Sequence, residues 1–441
     1  MLANEHPERS ASSERRSSRI QAFRRRLRRW LLGTGVNNQM PSTDGSPHSD
    51  LQRSDLLPSD LRPVRRRRGY TPAIRSLEPR FVLNATAELN ALGQLAIIGD
   101  AAADTIRLET LSSGDVLVRD GTNAVIPIAN HPGVATSPLN LSAVTAGEII
   151  VDLGAGNDLL DLQIPTGIDI TVVDSSGDDS VNLEFASTGA TPGNNLIDVS
   201  ADTITLDPPD TAIGFTNNDV QLTGNVIAGV TGTNSQITIG GGDWTIVGTL
   251  TLDGSVTFFS SGGAIDLSGA TLTASASGVD ADFALDGPTA NLTIGEVDGS
   301  GGQLIENVLI SGASSLTTTD TIEISGQFSA PAVTGPIQID SPITASVIGI
   351  DSQSTVTVDG DVTTTDGVLV ISADQSIRLT GNVSTVAAGS LGSVLLSGTT
   401  LQLVDNQLVT SGGDIDVSAE TQIVGQCPDR FGERQQRRER R

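Results

Sequence analysis

The chain has 441 residues and a formal net charge of −26, with 48 glycines, one cysteine, no lysine and only 3% aromatic residues. That length admits two or three domains or one long repeat array, and abundant glycine beside so few aromatic anchors points to many short strands separated by turns. The lone Cys427 excludes an intrachain disulfide, and no run of about 18 apolar residues exists to cross a membrane as a helix.

Charge divides the chain. Residues 1–80 carry +9, residues 81–425 carry −38 and residues 426–441 carry +3. Residues 1–76 are rich in Arg, Ser and Pro, with RRRLRR at 24–29 and RRRR at 65–68. Such a leader buries too little apolar surface to offset the entropy of ordering, so disorder is expected there. Its arginine runs accord first with a solvated tail, then with export targeting or contact with anionic lipid, and last with nucleic-acid binding. The apolar stretch Trp30–Val36 is too short and too polar for a standard secretion signal. The acidic middle contains only Arg107, Arg119 and Arg378, which form no cationic track for phosphates. Nucleic-acid binding is therefore not expected of it; cations are its natural partners.

Residues 77–86 follow, opening with Leu77-Glu78-Pro79-Arg80-Phe81-Val82-Leu83-Asn84. This segment resembles the LEPR-type N-terminal motif that introduces very large exported proteins of planctomycete bacteria. Leu77, Glu78, Pro79 and Arg80 are intact, and Asn84 stands where that motif more often has Ser. The resemblance implies a targeting motif and an extracellular or cell-surface location; it implies no activity.

Over residues 87–210, Asp104, Asp158, Asp179 and Asp202 each precede an alternating apolar run, the mark of a half-buried strand entered from a turn. Gly154-Ala155-Gly156-Asn157-Asp158-Leu159-Leu160 matches most of the nonapeptide G-G-x-G-x-D-x-U-x of calcium-binding β-rolls, with Leu153 in place of the first glycine. A weaker copy runs through Gly177-Asp178-Asp179-Ser180-Val181. The candidate metal ligands are thus Gly156, Asn157, Asp158, Asp178 and Asp179. The resemblance to haemolysin-type calcium repeats implies calcium as the cofactor, shared between turns of adjacent copies. The alternative is that these aspartates merely close turns and keep edges soluble.

Residues 211–425 repeat a strand, a glycine and a second strand: VQLTGNV at 220–226, LTLDGSV at 250–256, IDLSGAT at 265–271, IEISGQF at 322–328, VTVDGDV at 356–362, IRLTGNV at 377–383 and VLLSGTT at 394–400. Gaps between the repeat glycines run from 14 residues (Gly312 to Gly326) to 30 (Gly224 to Gly254). Ser261–Ser268 returns as Ser411–Ser418, which predicts a larger repeat of 150 residues. A coil of about 20 residues cannot bury its own apolar face, so stacking into a parallel β-helix is the expected solution. At about 4.8 Å per rung, residues 87–425 would build a rod of roughly 80 Å. A string of β-sandwiches would want larger core aromatics. The pattern resembles the repeats of filamentous haemagglutinin-like adhesins, which implies cell-surface or extracellular-matrix partners.

Catalytic constellations are sparse. His6, His48 and His131 are dispersed, no G-x-S-x-G occurs, and without lysine there is no Walker-type phosphate loop. Asp266, Asp340, Asp351, Asp359, Asp361 and Asp366 lie in turn or edge contexts, with Arg378 as the repeat section's one cation. Trp244 with Phe258 and Phe259 suits either a core plug or a carbohydrate-stacking platform. The Arg-rich segment 426–441 breaks the repeat and suggests a truncated or frame-altered end. The resulting expectation is an all-β, elongated parallel β-helix or β-roll-like array behind a disordered basic leader. Its expected role is that of an exported, non-enzymatic surface, cell-envelope or adhesin-like structural protein. A carbohydrate-active β-helix enzyme, lyase or hydrolase, is the alternative.

Overall fold

The computed structural model describes residues 85–424, apart from residue 166 and the segments 186–194, 207–211, 215–217, 231–232, 276–280, 299–304, 387–391 and 406. The leader, Leu77–Arg80 and the segment 426–441 lie outside the described residues. What is described is nearly all β, as expected, with one short 3-10 turn, Leu141–Ala143, and no α-helix. No described helix is long and apolar enough to cross a membrane.

The strands stack in parallel, coil upon coil. On the first face Leu95 pairs with Ile149, and the column continues through Ile170, Ile197, Val220, Trp244, Ile265, Leu292, Leu316, Ile337, Val356, Ile377, Leu401 and Thr421. Every side chain from Leu95 to Leu401 in that column is buried. The second face repeats the arrangement from Ile106 through Leu160, Val181, Ile204, Val226, Leu250 and Leu272 to Val297, Ile322, Ile343, Val362 and Val383. Alternation places these residues inside and their polar neighbours outside, and each fully buried Val, Leu or Ile contributes roughly 1.5–3 kcal/mol.

The cross-section changes along the stack. The coils built on Glu148–Asp152 with Leu159–Ile164, and on Asp169–Val173 with Ser180–Phe185, have two strands each. A third face joins with Ala212–Gly214 and carries its own buried column, Val256, Phe283, Val308, Phe328, Ile348, Leu369 and Val394. The first section is therefore roll-like and the second a three-faced helix.

Three expectations need correction. First, residues 87–147 supply only one coil of the roll, Leu95–Gly99 stacked in parallel on Glu148–Asp152 and Thr105–Thr110 on Leu159–Ile164. Ala85–Leu89 pairs antiparallel with Leu95–Gly99, and Thr105–Thr110 pairs antiparallel with Val116–Asp120, so two hairpins fold back over the N-terminal edge. Asn90 closes the first by accepting the backbone N–H groups of Leu92 at 2.9 Å and Gln94 at 3.1 Å, with Gly93 at φ +79°. Second, the stack is shorter than 80 Å. The thirteen pairings from Leu95 to Thr421 span about 60 Å at about 4.8 Å each, because hairpins take up the first residues and coils run from 19 residues (Ile337 to Val356) to 27 (Ile170 to Ile197). Third, the 150-residue echo is not a structural repeat: Ile265 stacks on Trp244 on the first face, whereas Ile415 stacks on Val394 on the third.

Trp244, Phe258 and Phe283 lie inside, with ring centroids 6.1 and 5.6 Å apart. They plug the early three-faced coils, and only Phe259 of the proposed stacking platform turns outward.

Candidate functional site

Chemistry concentrates at the corner between the first two faces of the roll-like section. The turn 153–158 lies directly on the turn 174–179, so the two partial nonapeptides are adjacent copies and neither is isolated. Ala155 bridges Ser176, Gly156 N–H donates to Ser176 O at 3.0 Å, and Ser176 N–H donates to Gly154 O at 3.2 Å. The turn 99–104 lies on the other side, its Asp100 O accepting from Ala155 N–H at 3.0 Å. Glycine is required for this approach: Gly177 has φ +140°, and a Cβ there would overlap the Gly156 carbonyl oxygen.

That contact yields a comparison. Gly177→Ala is expected to cost about 3 kcal/mol or more, combining an unfavourable φ with overpacking against backbone. Gly114→Ala, at φ +84° but facing open space, should cost only about 1 kcal/mol. Denaturant midpoints of the two variants check the difference.

Behind the turns runs a column of aspartates. Asp158 Oδ1 accepts from Asp104 N–H at 2.7 Å, Asp179 Oδ1 from Asp158 N–H at 2.8 Å, and Asp202 Oδ2 from Asp179 N–H at 3.0 Å. Each carboxylate thus caps the backbone of the coil before it. Asp104, Asp158 and Asp179 are at most 2% exposed, and Asp104 Oδ1, Asp158 Oδ2 and Asp179 Oδ2 have no hydrogen-bond partner. A buried polar atom left so costs about 1–3 kcal/mol. Among the described residues the arginines are spent elsewhere, Arg107 at 3.9 Å from Glu184, Arg119 at 2.8 Å from Glu109 and Arg378 at 3.2 Å from Asp359.

The electrostatics follow from burial. Desolvation pushes the carboxyls of Asp104 and Asp158 above the usual range; backbone N–H donation opposes this and neighbouring aspartates reinforce it. The carboxyl of Asp174 is pushed up to about 7, by burial first and then by the facing Asp179 and Asp202.

The expected ligands divide accordingly. Asp158 and Asp179 come together in the buried column, and Gly156 supplies a carbonyl in the stacked turns. Asn157 and Asp178 point outward and are exposed. Sequence reasoning missed Asp174, although alignment of the two copies places it at the first-glycine position held by Leu153 in the other. Among the described residues no three His, Cys, Asp or Glu side chains are already grouped as metal ligands would be.

Comparison with protein-family models, with curated proteins and with solved structures finds no match to this chain.

Proposed function

We propose that this chain is an exported, non-enzymatic structural element of the cell surface or envelope, adhesin-like in its use of a long β-solenoid. Its partners would be cell-surface or extracellular-matrix components, and calcium would stabilise its acidic roll-like coils. The observation that carries this reading is the unbroken buried column from Leu95 to Leu401. Its residues are committed to extending a stack, with short polar side chains such as Thr293, Thr317 and Thr357 at the adjoining outward positions. Export rests on the resemblance of Leu77–Arg80 to a targeting motif behind a basic leader, and calcium on the stacked turns with their spare buried oxygens.

Of the carbohydrate-active alternatives, a hydrolase would require clustered carboxylates in a groove and a lyase a positioned Arg or Lys with calcium. The repeat section's Arg378 instead lies 45% exposed, paired with Asp359 as a surface ion pair. Arg378→Ala is accordingly expected to change stability by no more than about 1 kcal/mol, measured by denaturant unfolding. Cell fractionation tests the reading as a whole, with the protein expected at the surface or in the medium. A cytoplasmic position, or Arg378-dependent cleavage of acidic polysaccharides, would overturn it.

A further inference from the structure

We propose that Asp174, Asp179 and Asp202 together form a partly buried site for one divalent cation that prefers oxygen ligands, built across two adjacent coils. The proposal deepens the calcium reading above and rests on it, but it places the ion on a carboxylate that the calcium nonapeptide does not possess. Asp174 occupies the position where that repeat has its first glycine.

The register explains how this carboxylate enters the interior. Asp152 pairs with Val173 and Val173 with Ser200, and Leu153 N–H donates to Val173 O at 3.1 Å while Asp174 N–H donates to Ser200 O at 3.2 Å. Asp174 therefore continues a column whose neighbours, Leu153 and Ala201, are buried apolar residues. A charged group in such a column needs a partner.

Its surroundings supply ligands and no counter-charge. Asp179 and Asp202 each hold one oxygen on the backbone N–H of the preceding coil, which fixes the carboxylate and leaves its second oxygen for another use. Asp179 is fully buried, and neither its Oδ2 nor Asp174 Oδ1 has a donor. Asp202 is exposed, which gives an ion a route in and leaves a carboxylate able to turn towards it. The other charged groups at this corner are again acidic, Asp100, Asp104, Asp152 and Asp158 before the site, Asp178 on its outer turn and Asp198 after it, while Arg107 on the same coils lies out on the second face, 3.9 Å from Glu184. Hard oxygen donors without nitrogen or sulfur select calcium-like ions, and a site with one mobile ligand suits calcium better than the geometrically strict magnesium. The site is single, because Leu153 occupies the equivalent position one coil earlier and Ala201 one coil later.

Calorimetric titration of the chelator-treated full chain with calcium chloride at pH 7.5 tests this. The wild type is expected to bind, Asp174→Asn to bind about tenfold more weakly or worse, and Glu88→Gln, altered at an exposed acid outside the turns, to bind as the wild type does. Melting in chelator shows whether Asp174→Asn is folded, and removal of a half-buried acid that faces other carboxylates should leave its midpoint equal or higher. If that variant does not fold, Asp202→Asn, altered at the exposed member, carries the same expected loss. Wild-type affinity in the variants would overturn the three-carboxylate site and leave calcium on the turns alone. Absence of binding by the wild type would overturn both.

Discussion

Leu316→Asp is expected to melt about 10 °C or more below the unaltered chain, whereas Thr317→Asp, the same charge one position further on, should melt within a few degrees of it. Leu316 is fully buried between Leu292 and Ile337 in the first-face column. An unpartnered carboxylate there costs about 3–5 kcal/mol, and each kcal/mol lowers the midpoint of a domain of this size by roughly 2–4 °C. Thr317 faces outward beside Thr293, where water solvates the new charge. The pair reads out the strand register, since a slip of one residue would reverse the two effects. Hydrogen exchange on Leu316→Asp should show loss of protection spreading to both neighbouring coils, because each coil contacts only those next to it.

In chelator, the roll-like section should lose stability as pH rises from about 4 to about 7. The carboxyl of Asp174 titrates near 7 in the fold against the ordinary 3.8 of an exposed aspartate, because burial and the facing Asp179 and Asp202 disfavour its charge. The folded state therefore holds the proton more tightly than the unfolded chain. The stability so contributed is full below the unfolded value and is lost as pH passes through the folded one. Asp104 and Asp158, also raised, act in the same direction. Discounted for partial solvation, the loss due to Asp174 is about 1–2 kcal/mol. Asp174→Asn should remove that share of the pH dependence. Melting curves of both proteins in chelator at pH 5 and pH 8 decide the matter, and equal slopes would refute it.

The alternation of Val, Ile and Leu made the strands legible, and the aspartates preceding four apolar runs marked what proved to be one column. The glycines misled for a physical reason. Gly224, Gly360 and Gly381 lie at the corner between the first and second faces, Gly254 and Gly326 between the second and third, and Gly398 between the third and first. One local motif serves three different corners, so its spacing does not report coil length. The echo of Ser261–Ser268 at Ser411–Ser418 failed likewise, since an apolar-polar-apolar strand fits any face of a solenoid. The N-terminal hairpins were missed although Asn90 to Gly93 and Leu111 to Gly114 carry the turn residues that announce them. Asp174 escaped because its inward direction comes from registry with Leu153 and Ala201, which no local pattern displays.

The coil-to-coil hydrogen bonds all run along the stacking axis, as they must where strands of successive coils pair in parallel. A load applied at Leu95 and Leu401 would fall on a few bonds at a time and would peel the stack rather than shear it. Each coil released would add its own 19 to 27 residues of slack, about 65–95 Å of extended chain. Stretching a single molecule should therefore give a train of small, unequal extensions at low force in place of one abrupt rupture. An attachment built on this fold would yield gradually under tension and rewind coil by coil when the tension eased.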